Sequence, residues 1–266
     1  MSRLPGKFVW FEHVSSDIAK ARKFYEPLFG WHTEAMPAGK HRYPVILNHN
    51  REIGGYRRAA TGARPHWLGY VSVDDVDATY RRAVAAGARS LQAPADHPAF
   101  GRGATIADRS GAVVSLWRSL EGDPPDMIDA PSGNWAWNEL WTHDEMGALA
   151  FYQQVFGYTH ESMDLGRHGT YYILRRNGAG RGGVIRSAEP AAPAMWLPYV
   201  GVDDCDATCA KACKLGGEVL TGPADIAGVG RFAVLVDTVG AAVAVIKALP
   251  AGANEVDTAV AQATAA

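Results

Sequence analysis

Two Trp-x-Glu triplets, Trp10 to Glu12 and Trp137 to Glu139, carry the most chemistry in this 266-residue chain. Alternate side chains of a strand share a face, so each triplet sets an indole beside a carboxylate. An ionised carboxylate on an inward face is costly unless it is paired or wet. Glu12 and Glu139 therefore either face a solvated cavity or bind a buried arginine. Arg102 and Arg231 are the arginines that recur at matching places. In a desolvated cavity the carboxyl pKa rises, which suits a general base. His41 and His168 also recur, in Gly-Lys-His and Gly-Arg-His, either at a cavity rim or as surface-loop histidines.

These residues recur because the chain is a duplication. At an offset of 127, Phe8–Trp31 lies over Trp135–Tyr158, with Asp17/Asp144, Phe24-Tyr25/Phe151-Tyr152 and Phe29-Gly30/Phe156-Gly157 identical. At an offset of 129, Trp67–Thr79 lies over Trp196–Thr208 with ten of thirteen positions identical. An Asp-x2-Gly-Ala turn recurs at Asp108 and Asp237. The copies cover 5–119 and 132–249, joined by a linker over 120–131. Its Pro124-Pro125 pair predicts an exposed, stiffened strap. The small, polar stretch 250–266 is expected to be a disordered tail.

The elements that must position these residues read as β-α-β-β-β, twice per copy. Phe8–Ser15 is aromatic and β-branched, which favours a strand. Asp17 can cap a helix with Ile18, Ala21, Phe24, Tyr25 and Leu28 on one face, closed by Gly30. Pro27 is expected to distort its last turn. Strands follow near Tyr43–Leu47 and Ile53–Arg57, and Gly54-Gly55 and Gly182-Gly183 mark a turn or bulge. Trp67–Val73 opens the second unit, with a helix from Asp75 and strands near Ala88–Leu91, Ala104–Ala107 and Ala112–Leu116.

Composition narrows the function classes. Hydrophobic residues make up 47 % and charged residues 20 %, enough apolar material for a sizeable core. With 26 basic against 28 acidic side chains, no single-sign field points to nucleic acid or an anionic membrane. The start of the chain lacks a leader's apolar run, and no long apolar stretch offers a span, so a cytoplasmic protein is expected. Three cysteines at 205, 209 and 213 imply no disulfide framework. They read either as a thiolate site or as small apolar residues facing a core. Their repeat partners Val76, Tyr80 and Val84 favour the core.

The unit order, the Asp-x6-Phe-Tyr-x3-Phe-Gly block (Asp17 to Gly30, Asp144 to Gly157) and the Asp-x2-Gly-Ala turn resemble the vicinal oxygen chelate superfamily. That superfamily includes glyoxalase I, extradiol dioxygenases, fosfomycin resistance enzymes and bleomycin-binding proteins. Residues 199–204 and 228–235 resemble a two-domain actinobacterial subgroup, which includes a mycobacterial 27 kDa antigen and drug-binding accessory proteins of anthracycline biosynthesis. The resemblance implies an α+β fold of two tandem vicinal-oxygen-chelate (glyoxalase-like) domains. Each would hold two βαβββ units around a cavity, and the pair would form an intrachain pseudo-dimer. It also implies a divalent metal held by His, Gln or Glu at three places per domain. Carried onto this chain, those places are Trp10, Leu68 and Ser115, and Trp137, Leu197 and Ala244. Trp, Leu and Ala cannot ligate such a cation, and Ser rarely does. No metal or other cofactor is therefore expected, a shifted site from Glu12 and His66 being the alternative.

Taking even-numbered residues of the first strand as inward places Phe8, Trp10 and Glu12 on the cavity face. The second copy would contribute Trp135, Trp137, Glu139 and Trp141, and the later strands Leu68, Tyr70, Leu197 and Tyr199. An aromatic wall with a few polar groups suits a small-molecule site. The expectation is a protein, monomeric or homodimeric, that binds a hydrophobic, aromatic or polycyclic metabolite or drug. The alternatives are a metal-independent enzyme of secondary metabolism with Glu12 or Glu139 as general base, and a metal-dependent glyoxalase or dioxygenase with shifted ligands.

Overall fold

A computed structural model describes residues 2–39, 41–60, 62–127, 130–166 and 169–249. The stretch 250–266, expected to be a disordered tail, lies outside the described residues. The first half runs β1 (Phe8–Ser15), α1 (Ile18–Phe29), β2 (His32–Ala38), β3 (His41–Asn48), β4 (Arg51–Arg58), β5 (His66–Ser72), α2 (Val76–Ala85), β6 (Arg89–His97), β7 (Gly101–Ala107) and β8 (Val113–Ser119). The second runs β9 (Trp135–Thr142), α3 (Glu145–Phe156), β10 (Thr159–Asp164), β11 (Thr170–Arg176), β12 (Ala179–Arg186), β13 (Met195–Gly201), α4 (Cys205–Lys214), β14 (Glu218–Ile226), β15 (Gly230–Val236) and β16 (Ala242–Ala248). Each half is thus two βαβββ units, and each builds one curled eight-stranded sheet. The strand orders are β2-β3-β4-β1-β5-β8-β7-β6 and β10-β11-β12-β9-β13-β16-β15-β14.

Local chemistry sets the helix ends. Asp17, Asp75, Asp144 and Asp204 each accept the backbone N–H three residues on, satisfying a first-turn donor. Gly30 and Gly157 close α1 and α3 in the left-handed region, at φ 73° and 68°. α1 runs through Pro27 to Phe29.

The helices of one half pack against those of the other, α1 on α4 and α2 on α3. One core combines Val71, Val76, Ile106 and Leu116 with Leu149, Tyr152 and Phe156. The other combines Phe24, Tyr25 and Trp31 with Val200, Cys205 and Val245. The repeated sequence motifs meet across this seam. The Tyr152 hydroxyl donates to Asp108 at 3.0 Å and accepts from Trp196 Nε1 at 2.7 Å. On the other side Tyr25 donates to Asp237 and accepts from Trp67 Nε1 at 2.9 Å. Asp237 also bonds His13 Nε2 at 2.7 Å, both side chains being fully buried. The Phe-Tyr helix block and the Asp-x2-Gly-Ala turn are therefore the glue between halves, not part of a site.

The strap is exposed at Pro124, Pro125 and Asp126, as expected, and it is also anchored. Asp123 is buried and accepts from Leu4 N and the Ser72 hydroxyl, both at 2.6 Å. Asp126 pairs with Lys7 at 3.0 Å and Arg181 at 2.8 Å.

Cys205 and Cys209 enter the second core as expected, but Cys213 is exposed. Residues four apart drift by about 40° per step on an α-helix, so the third has turned out of the core. Val84, its repeat partner, is likewise exposed. Burial pushes the Cys205 thiol up to about 12 and raises Cys209 as well. Titration of the native chain with a chromogenic disulfide is expected to show one fast thiol, Cys213. The other two should react only on unfolding, and two fast thiols in the native chain would contradict the packing of α4.

Candidate functional site

The inner face of the first sheet carries Trp10, Glu12, Leu68 and Tyr70, because Trp10 pairs with Tyr70 and Glu12 with Leu68 across β1 and β5. Three donors converge on the Glu12 carboxylate. Tyr43 donates to Oε1 at 2.7 Å, and Arg57 Nε and the Tyr70 hydroxyl donate to Oε2 at 2.7 and 2.5 Å. Trp10 Nε1 donates to the Tyr43 oxygen at 3.0 Å, extending the network by one ring. Burial and the nearby carboxylate hold the Tyr43 and Tyr70 phenols well above their usual range, so both stay donors. Trp117 stands edge-on to Tyr70 at 5.8 Å, and Phe100 lies 6.2 Å from Tyr43. The result is a polar clamp at the base of an aromatic wall, with Phe100 exposed at its outer edge.

The second sheet repeats this plan with one exchange. Glu139 accepts from Trp141 Nε1 at 2.6 Å and from Tyr199 at 3.0 Å, and also bonds Tyr171. Trp137 Nε1 donates to Tyr171 at 2.7 Å, as Trp10 does to Tyr43. The ladder pair Val14–Arg57 has become Trp141–Ile185, however. An indole N–H has replaced a guanidinium, and no cation faces Glu139 among the groups that shift it. Burial raises its pKa, and the three hydrogen bonds only partly offset that. Around it Leu197, Tyr199, Val234, Ala244 and Ile246 pack with Trp137 and Trp141 into an apolar cluster. Thr105 and Ser115, hydrogen-bonded at 2.8 Å, stand in the first half where the second has Val234 and Ala244.

Gly55 and Gly183 make these clusters possible. Each sits in a strand rather than a turn, and a Cβ there would collide with the hydroxyl of Tyr43 or Tyr171. The irregular register lies close by, at Ile46/Leu47 and Leu174/Arg175.

Other expected site residues lie elsewhere. Arg102 does not reach Glu12; it bonds Asp77 and Asp96 at 2.7 and 2.8 Å. Arg231 likewise bonds Asp206 and Asp225 at 2.6 and 3.0 Å. Each arginine ties the first turn of a helix to an outer hairpin, the carboxylates being nearer than the sheet interior. His41 is exposed at the start of β3, and His168 lies outside the described residues. Phe8 and Trp135 leave the inner face, because register shifts between Phe8 and Trp10 and between Tyr199 and Val200 flip the phase of β1 and β9. Both rings join the core between the halves, Trp135 lying 4.4 Å from Phe11 and Phe8 4.9 Å from Trp196.

Sequence reasoning missed Tyr43, Tyr171 and Arg57. The tyrosines are a matched pair, but at an offset of 128, because the β10–β11 hairpin is one residue longer.

At the places where the resemblance implies metal ligands, the side chains are apolar or engaged with other groups. The Trp10 indole is turned to Tyr43, Leu68 is apolar, and Ser115 bonds Thr105. His66 Nδ1 bonds the Arg64 carbonyl at 2.9 Å. Among the described residues, no three His, Cys, Asp or Glu side chains come together in metal-holding geometry.

The fold belongs to a known class. Residues 7–116 match the profile of the Glyoxalase/Bleomycin resistance protein/Dioxygenase superfamily, and the chain belongs to that superfamily. It is 37 % identical over 247 residues to the "Putative glyoxylase CFP32" of Mycobacterium tuberculosis (strain CDC 1551 / Oshkosh), covering 91 % of this chain and 94 % of that one. It is 31 % identical over 276 residues to the "Anthracycline biosynthesis protein DauV" of Streptomyces sp. (strain C5), covering 94 % and 97 %. The fold is shared with a Mn(II)-bound glyoxalase from Novosphingobium aromaticivorans, at a TM-score of 0.65 and 18 % identity over 93 % of this chain and 83 % of that one. It is also shared with 2,2',3-trihydroxybiphenyl 1,2-dioxygenase from Sphingomonas wittichii, at 0.62 and 15 % over 92 % and 90 %. Among the described residues no helix is long and apolar enough to cross a membrane.

Proposed function

We propose that this chain is a metal-independent binding protein for a planar, polycyclic aromatic small molecule, held on the inner face of the first half. The observation that carries the reading is the saturated Glu12 carboxylate, with both oxygens taken by Tyr43, Tyr70 and Arg57 at 2.5–2.7 Å. A carboxylate so engaged is poorly free to bind a cation, and the adjacent guanidinium repels one. With Trp, Leu and Ser at the fold's ligand positions, the donor set does not fit a divalent metal. What remains is a wall of Trp10, Tyr43, Tyr70 and Trp117, which suits stacking of a flat ring system. The hydroxyls and the exposed part of Arg57 suit its carbonyl and hydroxyl groups. The likeness to a protein of anthracycline biosynthesis supports a polycyclic quinone as ligand class. The functional unit is one pseudo-dimeric chain, alone or as a homodimer, and buried free thiols at Cys205 and Cys209 suit a reducing cytoplasm.

The test is a tryptophan-fluorescence titration with 1,8-dihydroxyanthraquinone in the presence of chelator. Saturable quenching is expected, weakened about tenfold in Tyr70→Ala, from loss of one ring contact and one hydrogen bond. Quenching that needs added metal, or none that saturates, would overturn the reading.

A second reading rests on Glu139. Its raised pKa, caused by burial without a cation, is what a general base near neutral pH needs. If the chain turns over a bound compound, Glu139→Gln is expected to abolish turnover while leaving binding intact, whereas Glu12→Gln would not.

A further inference from the structure

A groove of about 800 Å³ runs along the seam between the halves, where β1 and β9 begin and the linker crosses, and reaches Trp137 and Ile246 at the margin of the Glu139 cluster. Its apolar walls include Phe8, Phe11, Trp135 and Trp137. Two polar side chains in its lining have unmet capacity. Asn138 is 3 % exposed, yet neither Oδ1 nor Nδ2 has a hydrogen-bond partner among the described residues. Arg181, 7 % exposed, bonds Asp126 through Nη1, but its Nε is buried without a partner. Buried polar atoms are almost always satisfied, and an unmet one is costly unless something binds it. Asn138 replaces the apolar Phe11 of the first copy, so the repeat does not require an amide there.

We propose that this groove is a second ligand site, for an aromatic carboxylate bearing a neighbouring hydroxyl. The amide of Asn138 offers one donor direction and one acceptor direction, and Arg181 Nε a charged donor. An acid next to a hydroxyl on a flat ring supplies the matching groups, and the rings of Phe8 and Trp135 supply a stacking wall. At the linker end Lys7 and Arg181 share one carboxylate, Asp126; across the lining Lys7, Arg51 and Arg181 balance Glu52, Asp126 and Asp203, so recognition of the anion rests on Arg181. The groove volume lies in the range of small-molecule sites.

The test is isothermal titration calorimetry of the full chain with 1-hydroxy-2-naphthoate. One saturable site is expected, and Asn138→Leu and Arg181→Met should each weaken it about tenfold, the value of one buried hydrogen bond. Asn138→Leu replaces an unsatisfied amide by an apolar group of similar size, so its melting temperature should hold or rise. Arg181→Met provides an independent reading should it not. No saturable heat up to about 1 mM, or binding untouched by both variants, would overturn the proposal. The probe and the residues differ from those of the anthraquinone titration, so either result can fail without the other.

Discussion

Asp237→Ala is expected to destabilise the chain by about 3–5 kcal/mol, the scale for removing one partner of a buried ionisable pair. Asp237 accepts from His13 Nε2 at 2.7 Å and from the amides of Val239, Gly240 and Ala241. It joins the last unit of the second half to the first unit of the first. Its repeat partner Asp108 accepts only neutral donors, Tyr152 and the amides of Ser110 and Ala112. Asp108→Ala should therefore cost less, about 1–3 kcal/mol. The pH dependences run in opposite directions. Burial opposes ionisation of Asp237, but its hydrogen bond to His13 and the turn amides outweigh that and lower its pKa. Its contribution is then present above the unfolded pKa and lost as pH falls through the folded value. Burial raises the pKa of Asp108 despite its hydrogen bonds. Its contribution is greatest below the unfolded pKa and is lost as pH rises through the folded one. Urea unfolding at neutral and acid pH should show the Asp237→Ala deficit shrinking in acid. Equal deficits for the two alanine variants at neutral pH would contradict the assignment.

The second expected result concerns the exchange of Arg57 for Ile185. Arg57→Met leaves Glu12 with tyrosine donors alone, as Glu139 is left with neutral ones. The expected loss is about 1–2 kcal/mol at neutral pH, reduced from the charged-hydrogen-bond range because the Arg57 side chain is 41 % exposed. Glu139→Gln is expected to be neutral or stabilising at neutral pH, since it removes a carboxyl whose ionised form burial disfavours. A raised folded pKa gives stability that is lost as pH rises, so the advantage of Glu139→Gln over the parent should grow with pH. Melting curves at pH 5 and pH 8 test both variants. A Glu139→Gln variant that loses stability as pH rises would show that Glu139 has a cationic partner after all.

The parts of the fold that sequence disclosed are those where local chemistry and burial agree. Each helix has an aspartate cap and an apolar stripe, and β1 and β5 carry aromatic residues toward a core. The strand β2 was hidden because it lies at the sheet edge, largely exposed, with Pro37 in its run. The β6 edge strand reaches Asp96 and His97, well beyond the apolar Ala88–Leu91, because it is held by its ladder with β7 (Ala95–Gly103, Asp96–Arg102, His97–Gly101) and not by an apolar face that the sequence could show. At the site, Glu12, Glu139, Tyr70 and Tyr199 could be placed from alternation along strands. Arg57 could not, because a charged residue on a strand reads as solvent-facing until its partner is known. Phe8 and Trp135 were misplaced by a bulge, which reverses alternation without leaving a sequence signal. The tyrosines that clamp the carboxylates were obscured by one inserted residue in a hairpin.

The central claim is that the inner face of the first half binds a small molecule without a metal. The most direct measurement is metal content by mass spectrometry of the purified, untagged chain, before and after incubation with Mn, Zn, Ni and Fe(II). The donor chemistry predicts no stoichiometric metal under any of these conditions. One metal per chain, lost on Glu12→Ala or Glu139→Ala, would contradict the account and restore a metal-dependent glyoxalase or dioxygenase reading.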